Sequence, residues 1–420
     1  MDSLIYYYWT FAILFVYFVF LMMQRRYRLI LPSVVCTLIW MVTAALVIFQ
    51  LKGVLGSYVL KDGAVDLVSQ FTCYMAIASV IGFSCAHYVM ARYESAVVVN
   101  SVDVSLVKDL LRRFKWIPYL CAATGVVLFV FLITTVGSFS SMSDYRILVI
   151  QTERVGYAAI AQRISGHINI LGGFYLMLLG YKSGKEGINM REFLLYAFLC
   201  SVINMAIGGR VWILTSTLPF FTTYFLSVKY NSGQVSKDLK TIFLIFVIFV
   251  SLFALIGLLR GGQSSGSFFD KFLYLTDGTR MTNMVLHQYP EMTYPQEYGM
   301  STLLGGLVQS PMYSRFAQSI SHDIGLSVTV KSIMPSLYYD FGFLGGPVFW
   351  GIICFVVEAL SIRLKYSKSV LGLLLFGTLS AMLFQSPIGN VFVLYTPTFE
   401  WLLILLISRK YILGKTLTTC

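Results

Sequence analysis

The stretch LIYYYWTFAILFVYFVFLMM, residues 4–23, decides the fold class of this chain, and the basic segment QRRYR, residues 24–28, follows it directly. The stretch holds no charged side chain, and a helix of that length spans about 30 Å, the thickness of a bilayer's hydrocarbon core. It therefore predicts a transmembrane helix that ends at the basic segment. Because it lacks the basic start and small-residue cleavage site of a signal peptide, we expect it to be retained as the first span.

The composition of the whole chain extends this prediction. Of 420 residues, 57% are hydrophobic and 12% are charged, and the mean hydropathy is +0.76. Soluble domains carry about 25% charged residues, so a soluble protein is excluded. The apolar runs are continuous, whereas the strands of a transmembrane barrel alternate apolar and polar residues. We predict an all-α polytopic membrane protein with one integral membrane domain, residues 1–420.

Eleven apolar runs predict about eleven transmembrane helices. They cover residues 4–23, 29–50, 67–91, 117–137, 164–181, 193–209, 211–228, 241–259, 337–362, 369–388 and 391–408. Twenty of the 31 lysines and arginines fall on the side of QRRYR, and every short loop on that side carries at least three. Since basic loops stay inside, the N-terminus is predicted outside and the C-terminus inside. This bias accounts for the net charge of +12, so no nucleic-acid partner is expected.

Two segments on the outer side are candidates for function, residues 138–163 and the long loop 260–335. A loop as long as the second is usually functional. Within it, residues 267–289 have helical spacing that places Thr276, Arg280, Asn283 and His287 on one face. We predict an amphipathic helix that lies on the outer surface and carries this polar stripe.

Arg210 and Arg260 are the leading candidates for binding a phosphate. Each lies at the outer end of a predicted span beside glycines, which let a backbone approach a ligand closely. The guanidinium fork suits phosphate, so two such arginines at one membrane face would fit a lipid-linked diphosphate. The structural alternative is that each arginine merely extends to the interface and pairs with lipid.

Other candidates are polar residues of the outer segments. Asp340, in the stretch PSLYYDFGFLGG, lies near the start of a span, where an ionisable group is costly and tends to face a cavity. Its alternative is a helix-packing site, since Gly342 and Gly346 have small-xxx-small spacing. No metal site is predicted, because no histidine or cysteine spacing fits one. The remaining candidates are Arg146, Arg163, Arg280, His287, Glu291 and Arg315.

At these residues the chain resembles the O-antigen polymerase (Wzy-type) family of bacterial inner membranes. The resemblance rests on Gly208-Gly209-Arg210, on Leu259-Arg260-Gly261, on one dominant outer loop and on the stretch 336–342, SLYYDFG. It implies a glycosyltransferase, with a GT-C-like architecture, that polymerises undecaprenyl-diphosphate-linked oligosaccharide repeat units at the periplasmic face. The outer side is then periplasmic, so that the N-terminus is periplasmic and the C-terminus is cytoplasmic.

The resemblance also implies roles for the candidate residues. Asp340, Glu291 and His287 are candidates for the base that activates the acceptor hydroxyl. The arginines at 210, 260, 280, 315, 146 and 163 would bind the diphosphate and the substrate. The partners would be the lipid-linked donor and acceptor, membrane lipid and a chain-length regulator protein. No cofactor or metal is required by this scheme.

Two alternatives stay open. An O-antigen ligase would use the same donor, the same arginines and the same long loop. A flippase or transporter for lipid-linked sugar belongs to a different class, and it predicts charged residues at mid-membrane and internal repeats. The charges identified here crowd the outer face and the sequence shows no repeat, which favours the polymerase.

Overall fold

The computed structural model describes residues 2–24, 32–54, 64–96, 102–136, 156–206, 211–227, 240–241, 244, 247, 276–288, 333–365 and 370–386. Helices account for 94% of these residues, which contain no strand, so the all-α prediction is confirmed for this part of the chain. Six stretches are long and apolar enough to cross a membrane: Leu4–Met23, Pro32–Leu51, Val65–Ala91, Val104–Thr135, Ile164–Glu186 and Ile333–Leu364. The chain is therefore an α-helical membrane protein.

Eleven helices can be bounded within the described residues. They are α1 (Asp2–Met23), α2 (Pro32–Leu51), α3 (Val65–Ala96), α4 (Val104–Arg113), α5 (Ile117–Val136), α6 (Gly156–Glu186), α7 (Met190–Ala206), α8 (Val211–Ser227), α9 (Asp277–Gln288), α10 (Ile333–Lys365) and α11 (Val370–Gln385). All except α4 and α9 coincide with predicted spans. Of the predicted span 241–259 only residues 241, 244 and 247 are described, each as helix, and the span 391–408 lies outside the described residues.

Part of the predicted second outer loop, residues 138–163, is helical. Helix α6 begins at Gly156 and therefore includes Arg163, while the stretch apolar enough to cross a membrane begins at Ile164. The reason is local, because the stretch 156–163, GYAAIAQR, is rich in alanine and carries one charged residue. Alanine has the highest helix propensity, and the stretch therefore extends the apolar helix by two turns.

The chain divides into two compact units. Unit 1 comprises Met1–Val97, Gly266–Arg363 and Met382–Pro397, and unit 2 comprises Val98–Ser265, Leu364–Ala381 and Thr398–Cys420. In unit 1, α1 packs on α2 and α3, and α9 packs on α3. Helices α2 and α10 run antiparallel, because Ser33 meets Glu358 at one end and Trp40 meets Trp350 farther along, with ring centroids 6.0 Å apart.

Unit 2 is built around α6, which packs on α4, α5, α7 and α8. Its core is apolar, with side chains such as Leu176, Phe193 and Phe220 fully buried. The short helix α4 is amphipathic and buries Val107 and Leu110. Its N-terminus is capped by Asp103, whose carboxylate accepts the Ser105 N–H at 2.9 Å.

Candidate functional site

Helix α10 is broken at Gly342, which has φ 73° and ψ −173°. Only glycine adopts this conformation without strain. The chain before the break folds back on the chain after it, since a methyl group placed on Gly346 would lie 3.1 Å from the carbonyl oxygen of Leu337. Nine residues of a straight helix advance about 13 Å, so this contact requires a reversal of direction. The rings of Phe341 and Phe349 also stack, with centroids 4.2 Å apart.

The folded-back part of α10, residues 333–341, is called the internal helix here. Its residues 333–340 are all buried. Its first N–H, on Ile333, donates to the Ser386 carbonyl at 3.2 Å, and the Tyr338 ring packs edge-on against Phe71 at 5.8 Å. The remainder, residues 343–364, is long enough to cross a membrane by itself. The predicted span 337–362 therefore contains a break, and its first residues belong to the internal helix.

Asp340 lies on this internal helix, two residues before the break, and is 0% exposed. Ser336 lies one turn earlier on the same face and is also buried. The packing alternative for this stretch holds in part, because Gly346 is in close contact with Phe71 and Leu337. Packing does not explain the carboxyl group, however, since burying an ionisable side chain is costly. In a membrane protein, broken helices and buried ionisable groups mark substrate sites.

Helix α9 differs from the predicted surface helix. Thr276 and Asn283 are buried, Arg280 is half-buried and His287 is exposed. The first and third members of the predicted polar stripe are therefore buried. The helix turns this face inward and packs on α3, and its buried hydroxyls can bond within the helix, as Thr282 does to the Gly278 carbonyl at 2.8 Å.

Three of the predicted site residues, Asp340, Arg280 and His287, lie in unit 1. Arg163 lies on α6 in unit 2. The other predicted site residues fall outside the described part of the chain, and their roles stay predictions: Arg146, Arg210, Arg260, Glu291 and Arg315.

The structure also brings together a group that the sequence analysis missed, called the Glu358 cluster: Ser33 of α2, His87 of α3 and Glu358 of α10. The Ser33 N–H donates to Glu358 Oε2 at 2.9 Å, and the Ser33 hydroxyl donates to Oε1 at 2.6 Å. The His87 Nε2 atom lies 3.0 Å from Oε1. This last contact has the distance of an ion pair but not the alignment of a hydrogen bond. Glu358 is 0% exposed and His87 is 8% exposed.

Local sequence explains how this cluster is assembled. Helices α3 and α10 cross where Gly82 meets Gly351, because an added Cβ on Gly82 would overlap the Gly351 carbonyl oxygen. His87 follows one glycine by five residues and Glu358 follows the other by seven, so both lie near the same end of the crossing. Ser33 is the second residue of α2, and its N–H has no partner within the helix. The Glu358 carboxylate accepts a hydrogen bond from that N–H. Its negative charge is also stabilised by the positive end of the α2 helix dipole.

A signal for this cluster existed in the sequence. His87 and Glu358 are ionisable residues inside the predicted spans 67–91 and 337–362, and such residues mark functional sites by default. The expectation that the charges crowd the outer face is therefore wrong for this pair. What the sequence does not show is that the two residues meet, because they are separated by 270 positions.

No group of three or more histidine, cysteine, aspartate or glutamate side chains among the described residues could hold a metal ion. No family model, curated protein or solved structure matches the chain. The function of the chain is therefore inferred from its residues and their geometry alone.

Proposed function

We propose that this chain is a membrane glycosyltransferase that polymerises undecaprenyl-diphosphate-linked oligosaccharide repeat units. In this proposal about eleven transmembrane helices, in a GT-C-like arrangement, lie in a bacterial inner membrane with the N-terminus periplasmic and the C-terminus cytoplasmic. The growing chain is transferred en bloc from its lipid carrier to a fresh repeat unit at the periplasmic face, giving O-antigen or a related surface polysaccharide.

One observation carries the proposal, the burial of Asp340 on the internal helix. A carboxyl group kept out of water beside a break in a membrane helix has a cost in stability, which a functional role would explain. In the predicted orientation the break at Gly342 lies at the periplasmic end of the span 343–364. This supports a reaction at that face, where the lipid-linked substrates would be presented.

Asp340 is assigned the role of general base. It takes the proton of the acceptor hydroxyl while the acceptor oxygen bonds to the anomeric carbon of the donor sugar. The bond from that carbon to the diphosphate oxygen breaks, and the diphosphate leaves with the electron pair. Glu291 and His287 remain candidates for the same role, although the exposure of His287 favours Asp340.

The leaving diphosphate requires positive charge. Arg280, half-buried on α9 in the same unit as Asp340, is the described residue best suited to provide it. A guanidinium in a partly desolvated place stabilises a developing anion more than it would in water. Arg210, Arg260, Arg315, Arg146 and Arg163 are proposed to contribute to diphosphate and substrate binding from other segments.

The test is polymer synthesis from purified lipid-linked repeat unit by the purified full-length protein. We expect Asp340→Asn, which keeps size and polarity, to lower turnover by about 100-fold or more, the usual contribution of a general base. Arg280→Ala should lower it by about 10- to 100-fold, since a charge-assisted hydrogen bond contributes about 1.5–3 kcal/mol. Glu186→Gln on α6, in a partly exposed pair with Lys108, is the matched control and should keep full activity.

Full polymerisation by Asp340→Asn would remove Asp340 from the mechanism. A ligase would form no polymer in this assay, and it would transfer the donor only after lipid A core is added as acceptor. Arg280→Lys adds a further distinction, since it keeps the charge but loses the planar fork and should restore activity only in part.

A lipid-linked oligosaccharide flippase is the second candidate. The buried pair of His87 and Glu358, on two helices long enough to cross a membrane, is the observation that favours it. Ionisable residues that pair with one another within membrane-spanning helices are typical of transporters. Movement of lipid-linked oligosaccharide across proteoliposomes, without polymer formation, would support this candidate and contradict the polymerase.

A further inference from the structure

We propose that the face of unit 2 predicted to be cytoplasmic binds an anionic phospholipid, with the headgroup phosphate at the basic end of α4 and the acyl chains along α5. The headgroup surface consists of Arg112, Arg113 and Lys115, which are all exposed. The acyl-chain surface, called the α5 stripe, consists of exposed side chains that follow on one face of the helix: Trp116, Tyr119, Ala123, Val126 and Val130. The inference does not rest on glycosyl transfer.

Helix α4 lies at the end of the membrane-spanning part of unit 2. The Tyr181 hydroxyl of α6 donates to the Val102 carbonyl, just before α4, at 3.0 Å. Farther along α4, Lys108 pairs with Glu186, the last residue of α6. The apolar side of α4 belongs to the core of unit 2, so its charged side faces the surroundings at the level where α6 ends.

The charges on this face do not balance within its own segments. Residues 102–116 and 181–192 carry seven basic and four acidic side chains. Two of the acidic ones pair with lysines, in the pairs Lys108–Glu186 and Lys182–Glu192, and a third caps the start of α4. The fourth, Asp109, offsets one positive charge at the basic end of α4. The excess of three positive charges is complementary to the phosphate of an anionic lipid.

The α5 stripe gives this surface the shape of a whole lipid. The Leu120 N–H donates to the Trp116 carbonyl at 2.9 Å, so Trp116 is continuous with the first turn of α5. Trp116 is 50% exposed and Tyr119 is 54% exposed, and both residue types prefer the boundary between headgroups and acyl chains. From Trp116 to Val130 the helix rises about 21 Å, which exceeds the half-thickness of a hydrocarbon core, about 15 Å.

Two simpler explanations of the basic residues account for less. Basic residues in the last turn stabilise a helix end, which explains Arg112 and Arg113 but not Lys115 beyond the helix. A basic loop that only fixes the orientation of the chain needs no particular structure. Neither explanation requires exposed aromatic side chains next to the charges, whereas a bound lipid requires both parts. A zwitterionic lipid carries its own positive charge and therefore leaves the excess unbalanced.

The experiment compares the binding of two phospholipids with the same acyl chains to the purified full-length protein by native mass spectrometry. Each basic side chain near an anionic surface contributes about fivefold to binding. We therefore expect the wild type to bind phosphatidylglycerol about tenfold or more tightly than phosphatidylcholine. The triple variant Arg112→Gln, Arg113→Gln, Lys115→Gln should lose this preference.

The matched control removes the same charge from another segment that is predicted to be cytoplasmic. It carries the changes Lys229→Gln, Lys237→Gln and Lys240→Gln, and it should keep the wild-type preference. Equal loss in the two triple variants would mean that total charge and not this surface selects the lipid, which would overturn the proposal.

Quenching by lipids brominated in their acyl chains gives a second readout, which locates the lipid. The part of the tryptophan emission that Trp116→Phe removes should be quenched more by brominated phosphatidylglycerol than by brominated phosphatidylcholine. Glycerol phosphate in tenfold excess, which lacks acyl chains, should not reverse this quenching. If the first triple variant fails to fold, this wild-type comparison decides. Equal quenching by the two lipids, or reversal by glycerol phosphate, would overturn the proposal.

Discussion

The two units differ in what they bury. Among the described side chains three that carry a carboxyl or imidazole group are buried, His87, Asp340 and Glu358, and all three lie in unit 1. The buried polar side chains of unit 2 are hydroxyls and one amide, and several of the hydroxyls bond to carbonyl groups of their own helix. Its charged pairs, Lys108 with Glu186 and Lys182 with Glu192, are partly exposed.

This difference indicates which unit carries chemistry. A hydroxyl that bonds within its own helix has little cost when buried and does not titrate. A buried carboxyl or imidazole group destabilises the protein unless it is paired. Unit 2 therefore has the composition of a packed support, whereas unit 1 retains ionisable groups that need partners to stay buried. Variants at matched positions in the two units test this difference.

The largest difference is expected between Glu358→Ala in unit 1 and Glu192→Ala in unit 2. Removing Glu358 leaves His87 and two donors of Ser33 buried without their acceptor, which should lower the free energy of unfolding by about 3–5 kcal/mol. Glu192 accepts two bonds from Lys182, at 2.9 and 2.8 Å, but both side chains are about one-quarter exposed. Its loss should lower the free energy by about 1 kcal/mol or less.

Denaturant unfolding of the purified protein in detergent provides the measurement. Equal losses for the two variants would mean that Glu358 is solvated, and the contrast between the units would then fail.

A smaller effect is expected at the glycines where helices cross. A Cβ on Gly82 would overlap the Gly351 carbonyl oxygen in unit 1, and a Cβ on Gly180 would overlap the Phe220 carbonyl oxygen in unit 2. Because backbone atoms must move, each alanine variant should lower the free energy of unfolding by about 3 kcal/mol, the upper end for an overpacked core. Gly173, which has no neighbour within 4 Å, is the control and should tolerate alanine.

Much of the fold follows from local sequence. In lipid, an apolar run of about 20 residues can form all its backbone hydrogen bonds only as a helix. The limits of α1, α2, α3 and α5 are therefore close to the predicted ones. The start of α6 differs because an alanine-rich stretch extends an apolar helix beyond the hydrophobic run.

The candidate site was harder to predict from the sequence than the helices were. Asp340 could be selected from its position, because an ionisable group beside glycines is unusual in a span. Arg280 could be selected from the helical spacing that places it among polar residues. The direction of the internal helix could not be predicted from the sequence, since it depends on the backbone conformation at Gly342 and on contact with Gly346. The Glu358 cluster depends on the contact of α10 with α2 and α3, which are distant from it in sequence, and no local pattern predicts which buried side chains will meet.

The smallest effect is expected at glycines with positive φ. Gly342→Ala in unit 1 and Gly187→Ala in unit 2, where φ is 98°, should each lower the free energy of unfolding by about 1–2 kcal/mol, because an L side chain is strained there. Only Gly342 holds a buried carboxyl group in place, since the internal helix that bears Asp340 ends at it. Gly342→Ala should therefore lower polymer synthesis per folded protein, whereas Gly187→Ala should not. Equal synthesis by the two variants, at equal stability, would show that the break positions no reacting group.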